Sequence, residues 1–274
     1  MTSAPHPEIA PPPGHIKAVC LDIDDTLLDN AGSSRLGLRA LIGNDAAWPV
    51  WRHTTEEHYE RYVAGELDFA TMCRERTRAF FAAFGEQLSD AEAAAREDHR
   101  MAAMQAAWRL FDDALPCLEW LRATGLRLAV ITNAPGAYQR KKISRTGLAS
   151  AFDSLVISGE LGIAKPDPRI FHAACDSLDL APHEVVHVGD RLDTDALGAA
   201  DAGLHGVWLN RTGTEHAPPD GVSMITSLAE LPELLVCELP FAPGIPAQAD
   251  GTAREPGTPS HPDTARPRLG ALSS

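Results

Sequence analysis

Short runs of Val, Ile and Leu alternate with helical patterns along most of this 274-residue chain. Nearly continuous apolar runs indicate strands that are buried on both faces, and helices between them are typical of the crossovers that join parallel strands. The runs that we interpret as strands cover residues 16–21, 126–131, 155–157, 185–188 and 206–209. This alternation predicts an α/β fold with a doubly wound parallel sheet and helices on both of its faces.

A long helical interval interrupts the alternation after the first predicted strand. From about residue 28 to residue 115 the patterns favour helices, and one helix is predicted to begin at the capping box Ser89 to Glu92. An all-helical block inserted into an α/β sheet predicts a separate cap domain over residues 28–115. The core domain then consists of residues 15–27 and 116–237.

Both ends of the chain differ in composition from the rest. Residues 1–14 are rich in Pro, and residues 238–274 consist mainly of Pro, Gly, Ala, Ser and Thr. Such segments bury too little apolar area to offset the loss of chain entropy, so we expect a disordered leader and a disordered tail.

Charge and cysteine usage restrict the partners and the compartment. Acidic residues outnumber basic ones by 38 to 24, and the formal net charge is -14. Such a surface repels nucleic acid and anionic membranes, so we expect neither as a partner. The five cysteines include no Cys-x-x-Cys pair, which favours free thiols. The N-terminal residues lack a signal-peptide core, and no apolar stretch reaches membrane-spanning length. We expect a cytoplasmic protein, either a monomer or a homodimer.

The first predicted strand ends in a dense group of acids. Asp22 and Asp24 stand one residue apart where the chain leaves the sheet. Burying carboxylates beside an apolar strand is unfavourable unless a cation or a catalytic role compensates. Two such acids suit phosphoryl transfer, in which one attacks phosphorus and its neighbour carries a proton, while a metal ion balances the charge. Taken alone, the same run is equally typical of an Asx turn or a helix N-cap.

Other predicted strands bring further polar residues to the same edge of the sheet. In doubly wound sheets, ligands bind beyond the carboxyl ends of the strands. Thr132 and Asn133 follow the second predicted strand. Lys165 precedes the fourth strand, and Asp190 and Asp195 follow it. Each of them alone is compatible with a helix cap or a solvated loop. Their convergence with the two acids on one edge predicts an active site.

The order and spacing of these residues resemble the four motifs of the haloacid dehalogenase-like hydrolase superfamily. The motifs are Asp22-x-Asp24-x-Thr26, Thr132 after an apolar strand, Lys165-Pro166, and Gly189-Asp190 followed by Asp195. The resemblance covers roughly residues 16 to 236. It implies a Rossmann-like core with a helical cap between the first and second motifs. Asp25 stands where many members of the superfamily have glycine.

The resemblance implies roles that agree with the chemistry of the side chains. Asp22 would attack the phosphoryl group and form an aspartyl-phosphate, and Asp24 would protonate the leaving oxygen and then activate water. Thr132 and Lys165 would hold the transferring oxygens and offset their charge. Asn133 would stand beside them in the substrate site.

A magnesium site is also implied by the resemblance. Mg²⁺ is a hard ion that prefers oxygen ligands. Asp22, Asp190 and the backbone carbonyl of Asp24 would bind the ion, and Asp195 would orient its water shell.

The predicted cap offers fewer signals. The resemblance to the caps of small-phosphate and nucleotide phosphatases implies that an arginine near Arg76 faces the substrate. The spacing of Trp51, Tyr59 and Tyr62 favours a buried helix stripe, so we expect these aromatic residues in the core of the cap.

The most economical interpretation is a magnesium-dependent phosphohydrolase that acts on a small phosphorylated metabolite, such as a sugar phosphate or a nucleotide. A phosphomutase shares every motif. A haloacid dehalogenase also uses a nucleophilic aspartate, but it needs no magnesium and the resemblance implies another residue at Asp24. A non-catalytic phosphate-binding protein on the same fold is the alternative from a different class.

Overall fold

A computed structural model describes residues 15–213 and 217–239 of the chain. The predicted leader, residues 1–14, and almost all of the predicted tail lie outside the described residues. Six parallel strands form one sheet with the spatial order β3-β2-β1-β4-β5-β6. The strands are β1 (Ala18–Leu21), β2 (Arg127–Thr132), β3 (Ser154–Ile157), β4 (Val185–Gly189), β5 (His205–Leu209) and β6 (Val222–Ile225). The predicted α/β fold is confirmed, and β6 is a strand that the sequence patterns did not indicate.

Helices cover both faces of this sheet. In the described part of the chain they are α1 (Asn30–Ile42), α2 (Trp48–Val63), α3 (Phe69–Ala82), α4 (Asp90–Ala106), α5 (Ala114–Ala123), α6 (Gly136–Arg145), α7 (Ser158–Leu161), α8 (Pro168–Ser177), α9 (Gly198–Asp201) and α10 (Leu231–Cys237). One large apolar cluster joins the sheet to α5, α6 and α10, and a second joins its other face to α8 and α9. None of the described helices is long and apolar enough to cross a membrane.

The position of β1 determines where a site can form. Leu21 lies opposite Val130 of β2 on one side and opposite Val188 of β4 on the other, so these three strands end at nearly the same level. The strand order reverses between β1 and β4, and this reversal opens a crevice at the carboxyl ends of the strands. The backbone N–H of Asp22 donates to the carbonyl of Val188 at 3.0 Å, which fixes the start of the loop at that crevice.

Five helices separate β1 from β2, and the first four of them, α1 to α4, precede α5; we call these four the helical insertion. They enclose an apolar cluster of their own, formed by Leu38, Trp51, Phe80, Phe81, Leu88 and Ala93. The predicted capping box at the start of α4 is present, because Ser89 and Glu92 bond reciprocally to each other's backbone N–H. The insertion therefore has a capping signal for one of its helices and an apolar core of its own.

A short turn precedes the last helix, α10. The Ser227 hydroxyl accepts a hydrogen bond from the N–H of Ala229, as expected of a cap, but residues Leu228–Glu230 form a single 3₁₀ turn. The α-helix starts at Leu231, where Pro232 occupies the first turn. Proline is common in the first turn of a helix because an N–H there has no partner within the helix, so the N–H that proline lacks is not missed.

Candidate active site

A cavity of about 340 Å³ opens at the carboxyl end of the sheet, where the helical insertion meets it. Seven of the eight side chains predicted for the site line this cavity: Asp22, Asp24, Thr132, Asn133, Lys165, Asp190 and Asp195. They come from the loops after β1 and β2, from the segment before α8, and from the loop and the π-helical turn (Leu192–Leu197) that follow β4. Because parallel strands end at one edge of the sheet, residues more than 170 positions apart meet there.

Lys165 links two of the predicted carboxylates. Its Nζ lies 2.8 Å from Oδ1 of Asp22, 2.6 Å from Oδ1 of Asp195 and 2.8 Å from the carbonyl oxygen of Ile131. Burial acts to lower the pKa of this lysine, but the charges of Asp195 and Asp22 outweigh burial and raise it. The ammonium group is therefore held in its charged form beside Asp22.

The pKa values of the two carboxylates that share Lys165 shift in opposite directions. Burial raises the pKa of Asp22 to about 6, and Lys165 only partly opposes this effect. Burial also acts to raise the pKa of Asp195, but Lys165 and His187 outweigh it and hold that pKa well below its ordinary value. Besides Lys165, Asp195 has two further partners: His187 Nε2 lies 3.3 Å from its Oδ1, and the backbone N–H of Arg191 donates to its Oδ2 at 3.0 Å.

Asp24 has a lysine partner that the sequence analysis did not identify. The Nζ of Lys142 pairs with Oδ1 of Asp24, and Nε2 of Gln139 lies 3.4 Å from Oδ2. The same Gln139 nitrogen donates to the Thr132 hydroxyl at 3.0 Å. Gln139 and Lys142 stand three residues apart on α6, the helix that follows β2, so they share a face. Two polar residues three positions apart on the helix that follows Thr132 are the sequence signal that could have indicated Gln139 and Lys142.

Asn133 connects two of the site loops. Its Oδ1 accepts from the backbone N–H of Lys165 at 2.8 Å, and its Nδ2 donates to the carbonyl of Lys165 at 2.9 Å. Both polar atoms of the amide are thus engaged with the backbone of Lys165. This pairing holds the lysine-bearing segment against the end of β2.

Three acids at the floor of the cavity could hold a metal ion. Asp22, Asp190 and Asp195 each offer a carboxylate oxygen, and these oxygens lie within 4.8 Å of one another. Burial raises the pKa of Asp190 well above its ordinary value, and the charges of Asp195 and Asp22 raise it further. These carboxylates repel each other, and all of the ligand atoms that they offer are oxygens. Such a cluster suits a hard divalent cation.

The loop after β1 contains a strained residue. Asp25 has a φ of 58°, in the left-handed region that glycine adopts at the lowest cost. Aspartate tolerates this conformation better than most residues, because its short side chain bonds locally. Here the Asp25 carboxylate accepts the N–H of Ala31 at 2.8 Å. This geometry gives a physical reason for the glycine that the superfamily resemblance leads one to expect at this position.

Arg76 is the one predicted site residue that the structure does not bring to the cavity. Its guanidinium is buried, donates to Glu97 at 2.7 Å and lies 4.7 Å from the ring centroid of Trp51. Arg100 pairs with the same carboxylate at 2.7 Å. This geometry corrects the expectation that Arg76 faces the substrate, because the side chain lies behind Trp51, inside the helical insertion.

One face of α2 forms the opposite wall of the cavity. The lining residues on this helix are Trp48, Trp51, Arg52, Thr55, Glu56 and Tyr59. Their spacing of three or four residues places them on a single face. Trp51 belongs to the core of the insertion as expected, but Trp51 and Tyr59 also line the cavity, and the periodicity alone did not reveal this second contact.

A salt bridge crosses the cavity from the sheet to α2. Arg191, in the loop after β4, donates to Oε1 of Glu56 at 2.7 Å. Its guanidinium carbon also lies 5.7 Å from the ring centroid of Tyr59. The helical insertion is therefore in direct contact with the segment after β4 that carries Asp190 and Asp195.

Comparison with known proteins gives consistent matches. The model of the haloacid dehalogenase-like hydrolases matches residues 16–203. N-acylneuraminate-9-phosphatase of Mus musculus is 32% identical over 243 residues, which cover 80% of this chain and 94% of that protein. Glyceraldehyde 3-phosphate phosphatase of Methanothermobacter thermautotrophicus is 32% identical over 230 residues, which cover 80% of this chain and 100% of that protein.

A solved structure supports the fold independently. The putative HAD-hydrolase YfnB from Bacillus subtilis, bound to magnesium, superimposes with a TM-score of 0.70 at 21% identity. The match covers 81% of this chain and 99% of that chain. At this level of identity the likeness shows a common fold.

Proposed function

Because the chain belongs to the haloacid dehalogenase-like hydrolases, we propose that it is a magnesium-dependent phosphatase of small phosphomonoesters, such as sugar phosphates, nucleotides or related metabolites. The observation that carries this proposal is the pair of acids after β1, each held by its own buried lysine. Asp22 is paired with Lys165, and Asp24 with Lys142. Similarity to an N-acylneuraminate-9-phosphatase and a glyceraldehyde 3-phosphate phosphatase supports the same reaction class.

In this proposal the reaction takes two steps at phosphorus. A carboxylate oxygen of Asp22 attacks the phosphoryl group, and the bond to the leaving oxygen breaks as Asp24 gives that oxygen a proton. Asp24 then takes a proton from a water molecule, whose oxygen attacks the aspartyl-phosphate and releases inorganic phosphate. Lys165 and the Thr132 hydroxyl lie at the cavity wall to offset the charge of the phosphoryl oxygens.

The acids of the cavity fit the metal that the family resemblance implies. Asp22 and Asp190 would hold Mg²⁺, with the backbone carbonyl of Asp24 as a further oxygen ligand. Asp195 is held by Lys165 and by the backbone N–H of Arg191, which suits a residue that orients metal-bound water. When bound, Mg²⁺ neutralises charge between the nucleophile and the anionic substrate.

We further propose that residues 28–115 act as a cap over a catalytic core formed by residues 15–27 and 116–237. The separate apolar cluster of the helical insertion and its wall of the cavity support this division. A cytoplasmic location is part of the proposal. The cysteines, all within the described residues, are free, which suits a reducing compartment.

The first test measures phosphate release from a panel of small phosphomonoesters, with Mg²⁺ and with a chelator. Asp22→Asn removes the nucleophile, so release should fall by roughly a thousandfold or more. Asp176→Asn is the matched control, because Asp176 is exposed on α8 and does not line the cavity. Release by Asp22→Asn at the wild-type rate would contradict the assignment of the nucleophile.

The same samples distinguish the alternatives. Chloride release from 2-chloropropionate without a metal would indicate a dehalogenase. Transfer of phosphate within a substrate, followed by ³¹P NMR, would indicate a mutase. Binding of phosphate without turnover under any metal condition would indicate a non-catalytic binding protein.

A further inference from the structure

Among the described residues that line the cavity, one cationic side chain has no acidic partner. Lys165 is paired with Asp22 and Asp195, and Arg191 is paired with Glu56. Arg52, on α2, also lines the cavity, and among the described residues its guanidinium makes no ion pair or hydrogen bond. It is an exposed side chain, so its free charge faces solvent at the mouth of the cavity. The site therefore contains an anion-binding group beyond those assigned to the phosphate.

Three other residues that line the same cavity carry buried polar atoms without a described partner. The indole Nε1 of Trp51, the hydroxyl of Thr55 and the Oδ1 of Asn30 all belong to cavity-lining residues. Each of these atoms is buried and has no hydrogen-bond partner within the described part of the chain. A buried polar group without a partner is unfavourable, and the polar groups of a ligand bound in this cavity are suited to pair with such groups. One donor, one acceptor and one hydroxyl match the hydroxyl groups of a polyol.

We propose that this wall, formed by α2 and the start of α1, binds the part of the substrate remote from the phosphate, and that Arg52 pairs there with a carboxylate. The substrate class is then the phosphomonoesters of hydroxylated carboxylic acids, such as sugar-acid or hydroxy-acid phosphates. This inference rests on the proposed phosphatase function and narrows its substrate. The rings of Trp48 and Tyr59 line the same wall and supply apolar contact for a carbon chain.

The charges around the cavity favour a carboxylate over a second phosphate. Arg52 is a single guanidinium, which matches one carboxylate in a bidentate pair. The other acids that line the cavity include Asp25, Asp190 and Glu56, and they would repel a second dianion more strongly than a monoanion.

The experiment compares substrates that differ in one group. 3-Phosphoglycerate and glycerol 3-phosphate form one pair, and 6-phosphogluconate and sorbitol 6-phosphate form another; in each, a carboxylate replaces a hydroxymethyl group. We expect wild-type kcat/KM to favour the carboxylate of at least one pair by about tenfold or more, as a charge-assisted hydrogen bond permits. Arg52→Gln should reduce this ratio to near one, and Arg52→Lys should retain part of it.

Arg39→Gln is the matched control, because Arg39 is an exposed arginine of the insertion that pairs with Asp45 and does not line the cavity. It should keep the wild-type ratio. Phosphate release without preference for either carboxylate, or a preference that survives Arg52→Gln, would overturn this inference and leave the phosphatase assignment intact. Release from none of a broad panel of phosphomonoesters would overturn both. Melting temperatures of the variants show that each is folded when its ratio is measured.

Discussion

Lys142 is the charged partner of Asp24, the residue that we propose as the acid and base of the reaction. Burial acts to lower its pKa, but the charge of Asp24 outweighs burial and raises it. Its ammonium group also lies 4.9 Å from the ring centroid of Tyr138 and 5.6 Å from that of Trp108. The side chain is therefore fixed by packing as well as by charge, and it can hold the Asp24 carboxylate in one orientation.

Lys142→Met is expected to lower kcat by roughly tenfold or more with a smaller effect on KM, because a poorly oriented Asp24 transfers protons less efficiently. Proton transfer matters most when the leaving group is poor. The loss should therefore be larger for an alkyl phosphate than for p-nitrophenyl phosphate in steady-state assays. Lys141→Met is the control, since the neighbouring lysine is exposed and contacts Gln105 instead. An equal loss on both substrates would show that Lys142 does not act through Asp24.

At the scale of the elements, a buried cluster of charged side chains around the indole ring of Trp51 holds α2, α3 and α4 together. Glu97 of α4 accepts from Arg76 of α3 at 2.7 Å and from Arg100 at 2.7 and 2.9 Å. The two guanidinium groups lie 4.7 and 4.8 Å from the ring centroid of Trp51, on α2. Trp51 forms part of the cavity wall, so this cluster supports the wall from behind. In the structure, Arg76 therefore supports the cavity wall through Trp51 and Glu97.

Glu97→Gln should lower the free energy of unfolding by about 3 kcal/mol, because it leaves two buried guanidinium groups without their counter-charge. Urea denaturation measures this loss. Arg76 and Arg100 hold the pKa of Glu97 below its ordinary value of 4.5, although burial acts to raise it. A carboxyl group with a lowered pKa stabilises the fold above that ordinary value, and the contribution is lost on acidification. The difference between wild type and variant should therefore narrow as the pH falls below 4.5.

The control for this prediction is the neighbouring residue. Asp98 is exposed on α4, so Asp98→Asn should change the free energy of unfolding by less than about 0.5 kcal/mol. A loss for Glu97→Gln as small as that of Asp98→Asn would mean that the buried cluster contributes little to stability.

For the whole molecule, the proposed metal site connects ligand binding to folding. Its acids come from the ends of β1 and β4, which are far apart in the chain and meet only in the folded sheet. An ion that binds there stabilises the native state alone, by about 2.7 kcal/mol at a hundred times its Kd. For a protein of this size, that amount raises the melting temperature by roughly 5 to 10 °C.

Asp190→Asn should abolish this Mg²⁺-dependent rise in calorimetry. It should also raise the melting temperature of the metal-free protein, because it removes one of three carboxylates that repel each other. Asp193→Asn is the control, since Asp193 lies three residues further along, in the π-helical turn Leu192–Leu197, but is exposed and outside the cluster. A rise with Mg²⁺ that persists in Asp190→Asn would place the ion elsewhere.

The sequence by itself determined the fold class and the family, and it indicated most of the polar residues that line the cavity at the carboxyl end of the sheet. Alternation of apolar runs with helices identified five of the six strands, and the polar residues after them lie together, because parallel strands must end at one edge. The family that the four motifs resemble is confirmed. The short strand β6, Val222–Ile225, has two half-exposed residues among its four, so its apolar signal is weak.

Only the tertiary structure decided which side chains of the helical insertion reach the cavity. Helical spacing specifies that Trp51, Thr55 and Tyr59 share a face, but it does not specify what that face packs against. Arg76 and Arg52 are both arginines on amphipathic helices, and one is buried against Glu97 while the other lines the cavity. Lys142 likewise meets Asp24 across 118 residues of chain. Such pairings arise when whole elements pack, and local sequence patterns do not determine them.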